Sequence, residues 1–255
     1  YSILGIGYNR LTQVKSLGIS VYALDDVFHQ VNQMDNLTAL DVSWTDISYD
    51  EASQISKLTN LEAINVTGIG EDVLNWNVFK SLPKLSSLTQ ESDAIKEYQY
   101  EVLNQLTHLT YLALSSDAET TNQVDLSNLT NLRHLQFNVA FGNPIDFSAF
   151  GKLTSLLINN TGIDNQRIQL PRGLKSLTTS CIYENIDLCQ VDCLEQLQVE
   201  SDTWSEQICS LTDLRHLSFY SQITSGNNLI CVRPFFTKLQ ILVIKLSHIF
   251  LPRSS

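Results

Sequence analysis

The chain has 255 residues, a hydrophobic fraction of 43% and a formal charge of −11. That charge opposes binding to nucleic acid or to an anionic membrane surface, and the apolar content opposes global disorder. No apolar run approaches the ~20 residues of a membrane span, and no signal-peptide pattern follows Tyr1, so the chain reads as a fragment or a processed product.

In chain order, residues 1–13 read as an irregular N-terminal repeat or cap, because Val14 follows Leu11 too soon for a full turn. From there one phrase recurs, L-x-x-L-x-L. It runs Val14-Leu17-Ile19, Leu37-Leu40-Val42, Leu61-Ile64-Val66, Leu85-Leu88-Gln90, Leu109-Leu112-Leu114 and Leu132-Leu135-Phe137. It continues as Leu153-Leu156-Ile158, Leu174-Leu177-Thr179, Leu194-Leu197-Val199, Leu214-Leu217-Phe219 and Leu239-Leu242-Ile244. Successive copies are 23, 24, 24, 24, 23, 21, 21, 20, 20 and 25 residues apart. Alternation inside L-x-L predicts a short strand with one buried face. A unit this short has no core of its own and must bury its leucines on its neighbours.

The intervening phrases differ between the halves. In the first half they carry helical spacing. In Glu71–Leu82 the apolar positions are Leu74, Val78 and Leu82, with Trp76 and Phe79 alongside; in Ile95–Leu106 they are Ile95, Tyr98, Val102 and Leu106. After Leu132 the repeats are shorter, and Gly162–Leu174 carries Pro171, which predicts 3₁₀ or extended segments. The chain closes on strand-like Leu239–Pro252. Ile241, Val243, Leu246, Ile249 and Phe250 make an apolar end that needs a cap or a partner.

This repeat resembles the leucine-rich repeat family over residues 14–246, and its L-T-x-L lead-ins at Leu58, Leu106, Leu129 and Leu211 are similar to internalin-type bacterial repeats. The resemblance implies an α/β fold: a curved leucine-rich repeat solenoid whose parallel concave sheet has about eleven strands. Its convex segments are expected to be helical in the first half and 3₁₀ or extended in the second. The whole of 1–255 reads as a single domain, with 247–255 as a C-terminal tail. The family's ladder asparagine is mostly replaced here, by Thr45, Ile69, Asp93, Asp117, Ala140, Thr161, Ile182, Asp202 and Gln222. Thr and Asp can partly replace the amide. Ile and Ala cannot, which predicts local irregularity at Ile69, Ala140 and Ile182.

The x positions of the strands face outward and are mostly small and polar. Large aromatics and Arg are the usual anchors of an interface. On that rule the candidates on this face are Trp44, Tyr111 and Tyr220, with His134, His216, Glu91 and Glu200 beside them, whereas Trp204 falls in the core register. Sequons occur at Asn36, Asn65, Asn128 and Asn159; glycans at Asn65 and Asn159 would obstruct the concave face.

Chemistry is hard to find. No metalloprotease, phosphate-loop, nucleophile-elbow or dinucleotide motif occurs, and neither metal nor cofactor is implied. The phrases LTNLRHLQF (129–137) and LTDLRHLSF (211–219) each carry a histidine, but four repeats separate them, roughly 19 Å at ~4.8 Å per strand. Five cysteines, Cys181, Cys189, Cys193, Cys209 and Cys231, read as reduced thiols, with Cys189 and Cys193 close enough in sequence to pair. The expectation is a non-enzymatic scaffold that binds a protein partner on its concave face, such as a pathogen surface or effector protein, and that contacts neither nucleic acid nor membrane interior. The apolar C-terminal edge offers self-association. The alternatives are a regulatory recognition module of a larger multidomain enzyme or receptor, and a glycan or small-ligand receptor. Localisation stays open between bacterial secreted or surface, and cytosolic.

Overall fold

The computed structural model describes residues 13–19, 28, 31–70, 72–92, 95–120, 125–141, 146–159, 168–180, 186–200, 208, 210–221 and 237–246. The expected N-terminal cap before residue 13, the tail after 246, Trp204, Cys181, Cys209 and Cys231 lie outside them. The contacts group the chain into two compact units, Tyr1–Ala118 with Val124–Leu132, and Glu119–Gln123 with Arg133–Ser255.

In the first unit the strands are β1 (Ser16–Gly18), β2 (Ala39–Asp41), β3 (Ala63–Asn65), β4 (Ser87–Ser92) and β5 (Tyr111–Thr120). In the second they are β6 (His134–Phe141), β7 (Ser155–Ile158), β8 (Ser176–Thr179), β9 (Gln196–Glu200), β10 (His216–Ser221) and β11 (Ile241–Leu246). Within each unit every strand pairs in parallel with the next in sequence, and the register aligns the repeats. Leu17, Leu40 and Ile64 are partners in one unit; Leu135, Leu156, Leu177, Leu197, Leu217 and Leu242 in the other.

Burial follows the repeated phrase. Leu61, Leu85, Leu109, Leu132, Leu174, Leu194 and Leu214 have no exposed surface. Each such leucine contributes about 1.5–3 kcal/mol by leaving water, so the repeats hold one another and no single one stands alone. Gln90 occupies a core position and is buried, with its Oε1 unpartnered.

A carbonyl ladder starts β2–β5 and β7–β11. Thr38 N and Ala39 N both donate to the Lys15 carbonyl, Glu62 N and Ala63 N to that of Thr38, and Ser86 N and Ser87 N to that of Glu62. The second unit repeats this, with Arg215 N and His216 N on the Glu195 carbonyl and Gln240 N and Ile241 N on that of Arg215. Hydroxyls of Thr38, Ser86, Thr110 and Thr154 add a third donor to the same carbonyls. The lead-in asparagines also bridge repeats: Asn60 Nδ2 donates to the Asp35 carbonyl and Asn131 Nδ2 to that of Thr107. In the second unit Glu195 pairs with Lys175 (3.3 Å) and Arg215 (3.8 Å) across neighbouring repeats. The arginine of LTDLRHLSF is therefore framework: its carbonyl carries the ladder and its side chain joins an exposed charge row.

The segments opposite the strands are short. Helix α1 (Tyr49–Gln54) is closed by a reciprocal cap: Glu51 N donates to Ser48 Oγ at 3.3 Å, and Ser48 N to Glu51 Oε2 at 2.8 Å. Helix α2 (Glu97–Leu103) starts where Lys96 N donates to Gln99 Oε1. The helical spacing in Glu71–Leu82 yields only a 3₁₀ turn, Trp76–Ser81, although Leu74, Trp76, Val78, Phe79 and Leu82 are all buried. In α2 the buried stripe holds Tyr100, Val102 and Leu103, and Tyr98 is 38% exposed, so that expected core position is corrected. The second unit has 3₁₀ turns at Phe147–Ala149 and Leu188–Gln190. A device unread in the sequence starts these segments. Asn75, Asp125, Asp146 and Asp187 each accept from the backbone N–H two residues on, and the residue between, Trp76, Leu126, Phe147 or Leu188, is buried.

Candidate functional site

Each unit presents the outward side chains of its sheet in rows across the strands. In the first unit one row is Ser16, Ala39, Ala63, Ser87 and Tyr111, and the next is Gly18, Asp41, Asn65, Thr89 and Ala113. Small side chains leave an open hollow of about 180 Å³ floored by Ala39 and Ala63 and walled by Asp41, Asn65, Ser87 and Thr89. Asp41 is held in place: its Oδ1 accepts from Ser43 N at 2.9 Å and its Oδ2 from Asn65 Nδ2 at 3.3 Å. Asn65 Oδ1 in turn accepts from Thr67 N at 3.1 Å. Tyr111 is half-buried and stands in register with Ser87 at one end; Glu91 is exposed in the following row, in register with Ser115.

Trp44 is the unusual member. It is 70% exposed, and its backbone is left-handed at φ 55°. Gly68, its equivalent one repeat on, is left-handed too, at φ 75°. Both close the same turn after a strand: Thr45 Oγ1 donates to the Val42 carbonyl at 2.5 Å, and Ile69 N to the Val66 carbonyl at 3.2 Å. Glycine adopts that conformation freely; a bulky residue there is an outlier costing of order 1–3 kcal/mol. The ring lies directly over Gly68, where an added Cβ would meet Trp44 Cε3 at 2.4 Å. Of the replaced ladder positions, Thr45 makes the bond just given and Ile69 is buried in the core beside the left-handed Gly68; the other side chains lie outside the described set.

The second unit has a different character. Glu200, Tyr220 and Lys245 are register partners, and the Lys245 ammonium sits 5.1 Å from the Tyr220 ring centroid. His216 Nε2 lies 3.2 Å from Ser218 Oγ, beside a small hollow lined by Ser176, Thr178, Gln196 and Gln198. His134 is exposed in the same row as His216, separated from it by Ser155, Ser176 and Gln196. Four strand steps put roughly 19 Å between them, too far to share a proton or an ion. The sequence therefore named residues from two faces: Trp44, Glu91 and Tyr111 in one unit, and His134, Glu200, His216 and Tyr220 in the other. The outward positions read as mostly small and polar, but that pattern singles out neither Asp41 nor the hollow beside it.

Among the described residues no group of three His, Cys, Asp or Glu side chains could hold a metal ion. Cys189 and Cys193 are exposed free thiols, and a hydrogen bond to Asp192 pushes the Cys193 thiol up, away from the reactive thiolate. Among the described residues no helix is long and apolar enough to cross a membrane.

No family model matches the sequence, and no curated protein is matched by it. Solved structures do match. An internalin (inlF) from Listeria monocytogenes is similar with a TM-score of 0.54 and 20% identity, over 91% of this chain and 74% of that one. The leucine-rich repeat domain of APL1B is similar with a TM-score of 0.54 and 14% identity, over 93% and 70%. TLR13, solved in complex with a single-stranded RNA, is similar with a TM-score of 0.54 and 19% identity, over 94% of this chain but 37% of that one.

Proposed function

We propose that this chain, a leucine-rich repeat protein by its fold, is a non-enzymatic scaffold that binds a partner protein on the exposed face of its strands. The observation that carries the reading is Trp44. A large aromatic that is 70% exposed, in a backbone conformation its repeat equivalent fills with glycine, carries a conformational cost that glycine would not. Its cost is offset elsewhere, as at binding sites. Tyr111 and Glu91 on the same face, and Glu200, His134, His216 and Tyr220 on that of the second unit, are the further contacts. RNA, the ligand of the TLR13 complex, is opposed here by a net charge of −11 and by Asp41 and Glu91 on the sheet face.

Affinity capture tests this with wild type beside a Trp44→Ala, Tyr111→Ala, Tyr220→Ala triple variant. Loss of the captured proteins supports the reading; an unchanged set refutes it. A second contact is supported at β11. Leu242 sits in the core register but is 46% exposed, and Ile241 is 49% exposed, which favours self-association through this edge. The glycan-receptor reading keeps one observation in its favour, the neutral amide and hydroxyl lining beside His216.

A further inference from the structure

The two sheet faces differ in charge, and the difference names a partner chemistry. Among the described residues in the three outward rows of β1–β5, Asp41 and Glu91 are the charged side chains, and no Lys or Arg stands among them. Lys15 lies just before β1, at the rim. In the corresponding rows of β6–β11, Glu200 is balanced by Lys245 across Tyr220. The hollow belongs to the acidic face. Its floor, Ala39 and Ala63, is apolar, and Asp41 stands at its wall with both carboxylate oxygens fixed by Ser43 N and Asn65 Nδ2. A carboxylate already tethered in this way loses little freedom when a cation arrives.

We propose that the hollow on the first unit's sheet receives a Lys or Arg side chain from an extended, cationic segment of a partner protein. This deepens the docking reading given above and rests on it. The apolar stem of the side chain lies over Ala39 and Ala63, and its cationic head meets Asp41. Trp44 stands three residues beyond Asp41, in the turn that follows β2, and Tyr111 one strand beyond Ser87. Both aromatic faces are placed to take neighbouring side chains of the same segment, including a second cation. A glutamate or a neutral amide has neither the charge for Asp41 nor the long apolar stem the floor accommodates.

The test uses the full chain and synthetic peptides that alternate Thr with Lys, with Gln or with Glu, measured by calorimetry. The Lys peptide is expected to bind, and the Gln and Glu peptides to fail. Asp41→Asn keeps the side-chain shape and should weaken the Lys peptide about tenfold, the order of one charge-assisted hydrogen bond. Ala63→Leu fills the hollow and should abolish binding. Asp72→Asn removes the same charge from an exposed position off the sheet face and should change affinity by less than about twofold. Equal weakening by Asp41→Asn and Asp72→Asn would mean diffuse attraction to an acidic protein and would overturn the proposal. So would a Gln peptide that binds as tightly as the Lys peptide. If the triple-alanine variant loses its captured proteins while Asp41→Asn and Ala63→Leu keep theirs, docking on the sheet stands and the cationic segment falls.

Discussion

Replacing Gly68 by alanine tests the turn and the tryptophan together. The first cost is conformational: φ 75° is left-handed, and an L-residue there is disfavoured by roughly 1–2 kcal/mol. The second is steric. The new Cβ would lie 2.4, 2.7 and 2.9 Å from Cε3, Cδ2 and Cζ3 of Trp44, which are the body of the indole and not a flexible tip. Overpacking of that kind costs about 1–3 kcal/mol, nearer the lower end here because Trp44 is mostly exposed and its ring can swing outward. The expected loss in wild type is therefore about 2–4 kcal/mol. In a Trp44→Ala background the ring is gone and only the conformational part remains, about 1–2 kcal/mol. Urea unfolding of the four proteins should give a coupling energy of about 1–2 kcal/mol between the two sites. Equal losses in both backgrounds would show that the ring does not rest on Gly68. A loss well under ~1 kcal/mol in both would show that the turn is not left-handed.

Three other changes follow from the same structure. Gln90→Leu replaces a buried amide with an unpartnered Oε1 by the residue its repeat position calls for, and should raise stability by about 1 kcal/mol in urea. Ser48→Ala removes the reciprocal cap of α1 and should cost about 1 kcal/mol by the same measurement, with Ser48→Asn restoring most of it. Burial pushes the Tyr100 phenol well above its ordinary value of 10.0, so the unfolded chain loses that proton first. Its contribution is fully present below pH 10 and is lost as pH rises beyond it. Tyr100→Phe should flatten the decline in thermal midpoint above pH 10, and an unaltered decline would place the ionisation elsewhere.

The residues readable in advance were those whose neighbours recur. Leu40, Ile64 and Leu88 are inward because the alternation says so, and the register between strands follows from the spacing of the copies. Convex segments are less legible in the sequence. Helical spacing in Glu71–Leu82 placed Trp76 and Phe79 in the core but overstated the helix, because the Asn75 side chain takes the Asn77 N–H and starts a tighter turn. Tyr98 fitted a three- and four-residue stripe, yet α2 turns Gln99, Tyr100, Val102 and Leu103 inward. A helix of seven residues permits several rotations about its axis, and only packing selects one.

The candidate site divides the same way. Trp44, Tyr111 and Tyr220 could be named from type and position. What Trp44 does could not, since its exposure depends on a left-handed turn and on the absence of a side chain at Gly68, a whole repeat away. The Arg-His phrase at 211–219 shows the contrast most plainly: the role of Arg215 is a backbone carbonyl used by the next repeat and a charge row shared with the preceding one. The sequence by itself determined the repeat, its inward leucines and the order of the strands, because each is a local pattern multiplied along the chain. Tertiary structure decided which outward residues stand together, that an acidic hollow opens beside Asp41, and that an indole rests exposed on a glycine. Those are properties of adjacent repeats, and contact between side chains some twenty-four residues apart exists only once the solenoid has stacked them.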